Sequence, residues 1–160
     1  MFRHALVAGA ASLFLASLGP AAAMAAPATV ETQIGPDLAK LAGDTYGQRD
    51  IDALSAQLRR EVERAVADAP DLQDARISLT LNDARPNRPT MKQLADKPGL
   101  SYGSFGVGGA AIEARITRAD GSTSELSYRW YETDIRQAAG RSTWQDAEWT
   151  ISRFARLLAR

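Results

Sequence analysis

The chain has no cysteine, and its one histidine, His4, stands close to the N-terminus. Without cysteine there is no disulfide, no thiol nucleophile, no thiolate metal ligand and no lipid-attachment residue. If His4 leaves with an N-terminal leader, the remaining chain has no imidazole either. Ser-His-Asp and Cys-His catalysis, zinc sites of the usual ligand types, haem on a histidine and Cys-ligated iron–sulfur clusters are then all excluded. Charge of one sign is also lacking. Lysine plus arginine and aspartate plus glutamate each number 19, so no global field steers the chain to nucleic acid or to an anionic membrane. Long apolar runs are missing too. The longest, Ala5 to Leu18, covers roughly 14 residues, against the ~20 an ordinary membrane span requires.

That short run has the form of a secretory leader. Arg3 and His4 give a positive start, Gly19-Pro20 breaks the apolar stretch, and Ala23-Met24-Ala25 supplies small residues at the cleavage positions. The expected cut follows Ala25, with a cut after Ala23 as the second choice and an uncleaved membrane anchor as the competing reading. The expectation is therefore a signal peptide over 1–25 and one domain over 26–160, exported to the periplasm with no lipid anchor and no membrane span. About 135 residues suffice to bury roughly two-thirds of the unfolded surface without disulfides.

The stretch Gly106 to Glu132, GVGGAAIEARITRADGSTSELSYRWYE, organises the rest. Ala110, Ile112, Ala114 and Ile116 alternate with Ala111, Glu113, Arg115 and Thr117. Leu126, Tyr128 and Trp130 alternate with Ser127, Arg129 and Tyr131. Period two marks half-buried strands, and Asp120-Gly121 suits the turn between them. A hairpin alone is marginal in water, so other segments must cover its apolar face. Pro27 to Ile34 reads as a short first strand and Ala75 to Asp83 as another. Asp37 to Gly47 is open between a helical turn and a loop.

Asp50 to Ala69 carries Ile51, Leu54, Leu58, Val62, Ala65 and Val66 at helical spacing, with Asp50 as the expected cap and Pro70 as the stop. Thr143 to Ala159 is a second amphipathic helix. Trp144, Ala147, Ile151, Phe154 and Leu158 form its stripe, and Ser142 with Gln145 or Thr143 with Asp146 forms a capping box. Burying each large member contributes roughly 1.5–3 kcal/mol. This helix is expected to lie across the hairpin's apolar face. The long segment Ala84 to Phe105, with one helical turn over Met91–Asp96, links the second strand to the hairpin. The fold class is α+β: two layers, a mainly antiparallel sheet, and helices on one face.

The run GGAAIEARITRADGSTSELSYRWYE followed by STWQDAEWTISRFARLLAR resembles uncharacterised bacterial envelope proteins of the domain-of-unknown-function type. It shares their small-residue entry, Asp-Gly hairpin, Trp-Asp-Ala helix start and closing amphipathic helix. That resemblance, carried mostly by the last third of the chain, implies a fold similar to the N-terminal domain of the Tol–Pal translocation protein. Many members are outer-membrane lipoproteins; this chain departs from them in having no cysteine to lipidate. No catalytic residues come with the resemblance.

The most unusual polar stretch is Asn82 to Thr90, NDARPNRPT. Arg85 and Arg88 on a loop stiffened by Pro86 and Pro89 have the chemistry to grip a carboxylate or phosphate. The alternative is that they pair with Asp83 or Glu113 and hold the loop. Ser101 to Gly109 is glycine-rich but lacks the lysine and the following helix of a phosphate loop. Asp83, Glu113, Glu132 and Asp134 are the available carboxylates, and Glu113 beside Arg115 and opposite Arg129 reads as a cross-strand charge pair. Trp149 and Tyr131 fall off the core faces and are candidates for an aromatic contact, unless both pack beneath the long loop. The candidate binding residues are thus Arg85, Asn87, Arg88, Arg129 and Tyr131. No catalytic residue, metal or cofactor is expected. The sequence points to a non-enzymatic interaction or structural module of the cell envelope, with an envelope protein or glycan as partner. The alternative is a carboxylate-dependent hydrolase acting on envelope polysaccharide.

Overall fold

The computed structural model describes residues 26–160. The expected leader lies outside the described residues. The chain forms β1 (Thr29–Ile34), α1 (Pro36–Leu41), α2 (Gln48–Val66), β2 (Arg76–Arg85), α3 (Met91–Asp96), β3 (Gly109–Thr117), β4 (Thr123–Tyr131), α4 (Ile135–Ala138) and α5 (Gln145–Leu158). The strands make one sheet in the order β1-β2-β3-β4. β1 runs parallel to β2, and the other two pairings are antiparallel. This is the expected α+β class with a mainly antiparallel sheet.

Side-chain alternation decides which sheet face is covered. Ile77, Leu79 and Leu81 on β2 and Ala110, Ile112, Ala114 and Ile116 on β3 are all buried. Their neighbours Ser78, Thr80, Glu113 and Arg115 turn the other way, where solvent reaches them. α2 lies against β1, α5 lies against β3 and β4, and the two helices touch each other. The core forms between them, with Ile51, Leu54, Leu58 and Val62 from α2 and Ala147, Ile151, Phe154 and Leu158 from α5. α5 thus packs on the hairpin as its stripe requires. Among the described residues no helix covers the opposite face of the sheet.

Several local expectations shift. α2 starts at Gln48, two residues before Asp50, because the chain turns at Gly47, at φ 97°. Asp50 does not cap it; its carboxylate accepts from the Trp144 indole N–H at 3.3 Å. At α5 only half of the Ser142–Gln145 box forms. The Ser142 amide donates to Gln145 Oε1 at 3.0 Å, while the serine hydroxyl caps nothing. Asp37 to Gly47 resolves into α1 followed by a wider helical turn, Ala42–Tyr46. Met91–Asp96 is helical, and Thr90 with Gln93 makes the full reciprocal box that Ser142 does not. β2 runs on to Arg85 because a bulge at Asn82 lets the ladder resume at Asp83, which pairs with Ala111.

Candidate functional site

The bulge at Asn82 decides what the uncovered sheet face displays. One extra residue in β2 re-phases its side chains, so Asp83 and Arg85 point to the same side as Arg129 and Tyr131. The ladder then aligns Asp83, Ala111 and Arg129 in one row and Arg85, Gly109 and Tyr131 in the next. Gly109 sits in the middle of the second row. A Cβ there would overlap Trp130 O and the Tyr131 ring. With that space empty, the Tyr131 ring leans across, and the Arg85 guanidinium lies over it at 4.5 Å from the centroid. The phenol donates to Asp83 Oδ2 at 2.7 Å, and Arg85 Nε reaches the same oxygen at 3.2 Å. Burial, and then the hydrogen bond and negative charge of Asp83, push the Tyr131 hydroxyl up to about 12. The phenol therefore acts as a donor, not as a base, at neutral pH.

Arg129 is the next residue of that kind along β4. It is exposed, and among the described residues its guanidinium has no ion pair or hydrogen bond. It borders a shallow trough of about 660 Å³ together with Asp37, Asn82, Glu113 and Ser127. A second trough of about 500 Å³, lined by Gln33, Ser78, Thr80, Glu113 and Arg115, continues it across the sheet. The uncovered face is thus a continuous polar surface. Its charges correct one expectation: Glu113 stands opposite Ser127, not Arg129. The cross-strand pair is Arg115 with Glu125, at 2.7 Å and largely exposed.

The structure parts the five candidate residues. Arg85, Arg129 and Tyr131 share the open face. Asn87 is fully buried. Its amide donates to Asp146 Oδ2 at 2.5 Å and to Gly106 O at 3.2 Å, and its carbonyl oxygen accepts from the Asp146 amide at 3.0 Å. Its own backbone joins Thr143 O and the Gly106 amide. Arg88 is spent on carbonyls, donating to Arg141 O at 2.6 Å and Tyr102 O at 3.0 Å. These two residues tie the long segment to the start of α5. Arg85, for its part, pairs with Asp83, one of the two partners named for it.

Sequence reading gave Asp146 only as the alternative capping partner of Thr143; that box does not form, and the buried role of this residue was missed. It is fully buried and receives the Asn87 amide and the Gly108 amide on Oδ2, with Arg141 Nε 3.6 Å from Oδ1. The available signal was its place one residue before Ala147, at the edge of the apolar stripe of α5, where a charge demands a partner. The other carboxylates serve locally. Glu132 accepts from the Thr133 and Asp134 amides, and Asp134 caps α4 and pairs with Arg136 at 2.7 Å. Of the aromatics, Trp144 is buried edge-on against Tyr46. Trp149 is 40% exposed, with the Arg141 guanidinium stacked at 3.9 Å. On the long segment Tyr102, Phe105 and Met91 are exposed.

Among the described residues no group of three or more His, Cys, Asp or Glu side chains is placed to hold a metal ion. No helix among them is long and apolar enough to cross a membrane. No protein-family model matches the chain, and no curated protein matches it significantly.

Proposed function

We propose that this is an exported periplasmic protein that works as a non-enzymatic interaction or structural module of the cell envelope. The leader-like pattern over residues 1–25 and the cysteine-free composition support export without lipid anchoring. One observation carries the interaction reading: among the described residues the helices cover a single face of the sheet, and the other face presents a hydrogen-bonding surface around Arg129, whose guanidinium is unpaired among those residues. An antiparallel sheet commonly leaves one face in water. Here, however, Arg85, Asp83 and Tyr131 are joined by hydrogen bonds and stacking beside that guanidinium, and among the described residues Arg129 has donors free for a carboxylate, phosphate or carbonyl. The hydrolase alternative has less support, since Glu132, Asp134 and Asp83 are each engaged with their own neighbours. The partner is an envelope protein or glycan that meets this face.

Fractionation and in-cell crosslinking with mass spectrometry test the proposal. The chain is expected in the periplasmic fraction, with one envelope component recovered in quantity. Arg129→Ala combined with Arg85→Ala is expected to lower that recovery about tenfold or more while leaving the far-ultraviolet circular dichroism unchanged. Cytoplasmic retention, or undiminished capture by the double variant, overturns the reading.

A further inference from the structure

Among the described residues β4 is a free edge of the sheet, nine residues long, without proline or glycine. The hydrogen-bond phase of the hairpin says which of its main-chain groups are unused. The Arg118 amide donates to Ser122 O at 2.9 Å, and the Glu132 amide donates to Gly108 O at 3.0 Å. Both bonds lie at even-numbered positions of the second arm. By antiparallel alternation the even residues of β4 bond to β3, and Thr123, Glu125, Ser127, Arg129 and Tyr131 turn N–H and C=O outward. Among the described residues no turn, loop or side chain takes these groups up. Edge strands in monomers are usually shortened, bulged, interrupted by proline or guarded by charged side chains. β4 is long and free of proline, and its register with β3 is unbroken from Thr123 to Tyr131; its two charges, Glu125 and Arg129, are opposite in sign, so they oppose a second copy only in the wrong register.

We propose that β4 pairs with β4 of a second copy of this chain, antiparallel and centred on Ser127, joining two four-stranded sheets into one. The charge pattern selects both the partner and the register. Glu125 and Arg129 are the two charged residues on the outward-facing side of β4, and they flank Ser127 symmetrically. Centring on Ser127 places Glu125 of each copy opposite Arg129 of the other. Sliding the pairing by two residues either way loses both contacts, and sliding by four sets glutamate against glutamate or arginine against arginine. An odd slip would put core-facing side chains opposite solvent-facing ones. In the selected register the outward residues all meet one another, so about ten new main-chain hydrogen bonds form.

The inner face agrees. Leu126, Tyr128 and Trp130 are only half-buried at this edge, although Arg153 lies over Trp130 at 5.2 Å. The pairing sets Leu126 beside Tyr128 of the second copy and Trp130 beside its Ser124, covering apolar surface left bare in the monomer. Glu125 already pairs with Arg115, but that pair is largely exposed. Such a pair is weak, and the carboxylate has room to accept from both arginines.

This inference goes beyond the proposed function and needs no envelope partner, so its test is independent. Sedimentation equilibrium on the purified chain up to about 0.5 mM is expected to show a monomer–dimer equilibrium. Glu125→Arg or Arg129→Glu alone sets like charges together twice per dimer, which weakens dimerisation about tenfold. Combining both substitutions in one chain restores opposite charges and returns the affinity. Arg129→Glu leaves the Arg115–Glu125 pair intact, and circular dichroism checks that each variant is folded. Ser127→Cys crosslinks to itself on oxidation, because residues paired at the twofold axis lie ~5.5 Å apart at Cα, within disulfide reach. Glu125→Cys and Arg129→Cys do not. A strictly monomeric chain, a dimer indifferent to the single reversals, or a double variant weaker than either single one overturns the proposal.

Discussion

Replacing Asn87 by alanine removes three hydrogen bonds at once, two buried and one partly buried. Two are neutral, from Nδ2 to Gly106 O and from the Asp146 amide to Oδ1. Each is worth about 1 kcal/mol net. The third joins the amide to the Asp146 carboxylate at 2.5 Å, and bonds to a charged group are worth about 1.5–3 kcal/mol. The expected loss is roughly 3–5 kcal/mol, a large share of a domain's usual ~5–15. Asp146 would retain only the Gly108 amide at 3.3 Å and Arg141 at 3.6 Å, poor compensation for a buried charge. Urea unfolding followed by tryptophan fluorescence measures this. With an m-value near 2 kcal/mol/M, the midpoint falls by about 2 M and the slope stays unchanged. The same residue supplies a coupling test: Asn87→Ala and Asp146→Ala together are expected to cost less than the sum of the single changes, because each removes the other's partner. A loss below about 1 kcal/mol for Asn87→Ala, or strict additivity, would refute the role assigned to this hub.

Gly109→Ala is expected to destabilise by roughly 2 kcal/mol or more, since the new Cβ overlaps Trp130 O and the Tyr131 ring; thermal melting reads it, and an unchanged midpoint would contradict the close approach. Tyr131 is expected to titrate near pH 12 by its absorbance change, and Tyr131→Phe removes that late step. Because its folded value lies above the ordinary tyrosine value of 10.0, the stability tied to its proton is full below pH 10. That stability is lost as pH rises from there through about 12. A normal titration in the folded protein would remove the argument from burial and Asp83.

Periodicity made the layers legible. Alternation over Ala110–Thr117 and Leu126–Tyr131 and the stripes of α2 and α5 each state which side of an element is apolar, and burial of those sides leaves little choice of packing. Helix starts were less legible. Asp50 and Ser142 had the right chemistry for caps, but the chain already turns at Gly47, and Trp144, 94 residues away, takes up the Asp50 carboxylate. The candidate site was legible only in part. Arg129 and Tyr131 follow from strand parity. Asn87 and Arg88 belonged to the same polar loop as Arg85, and nothing local told a buried amide from a surface one. That required knowing that Asp146, 59 residues away, turns inward at the same place.

The sequence alone determined that cysteine chemistry is excluded and which strand faces are apolar, because composition and period two are properties of the chain itself. The tertiary structure decided the rest. A single bulge at Asn82 brought Asp83 and Arg85 to Tyr131, two helices chose one sheet face and left the other open, and the sheet order left β4 at the edge. These depend on pairings between residues distant in the chain, which local pattern does not encode.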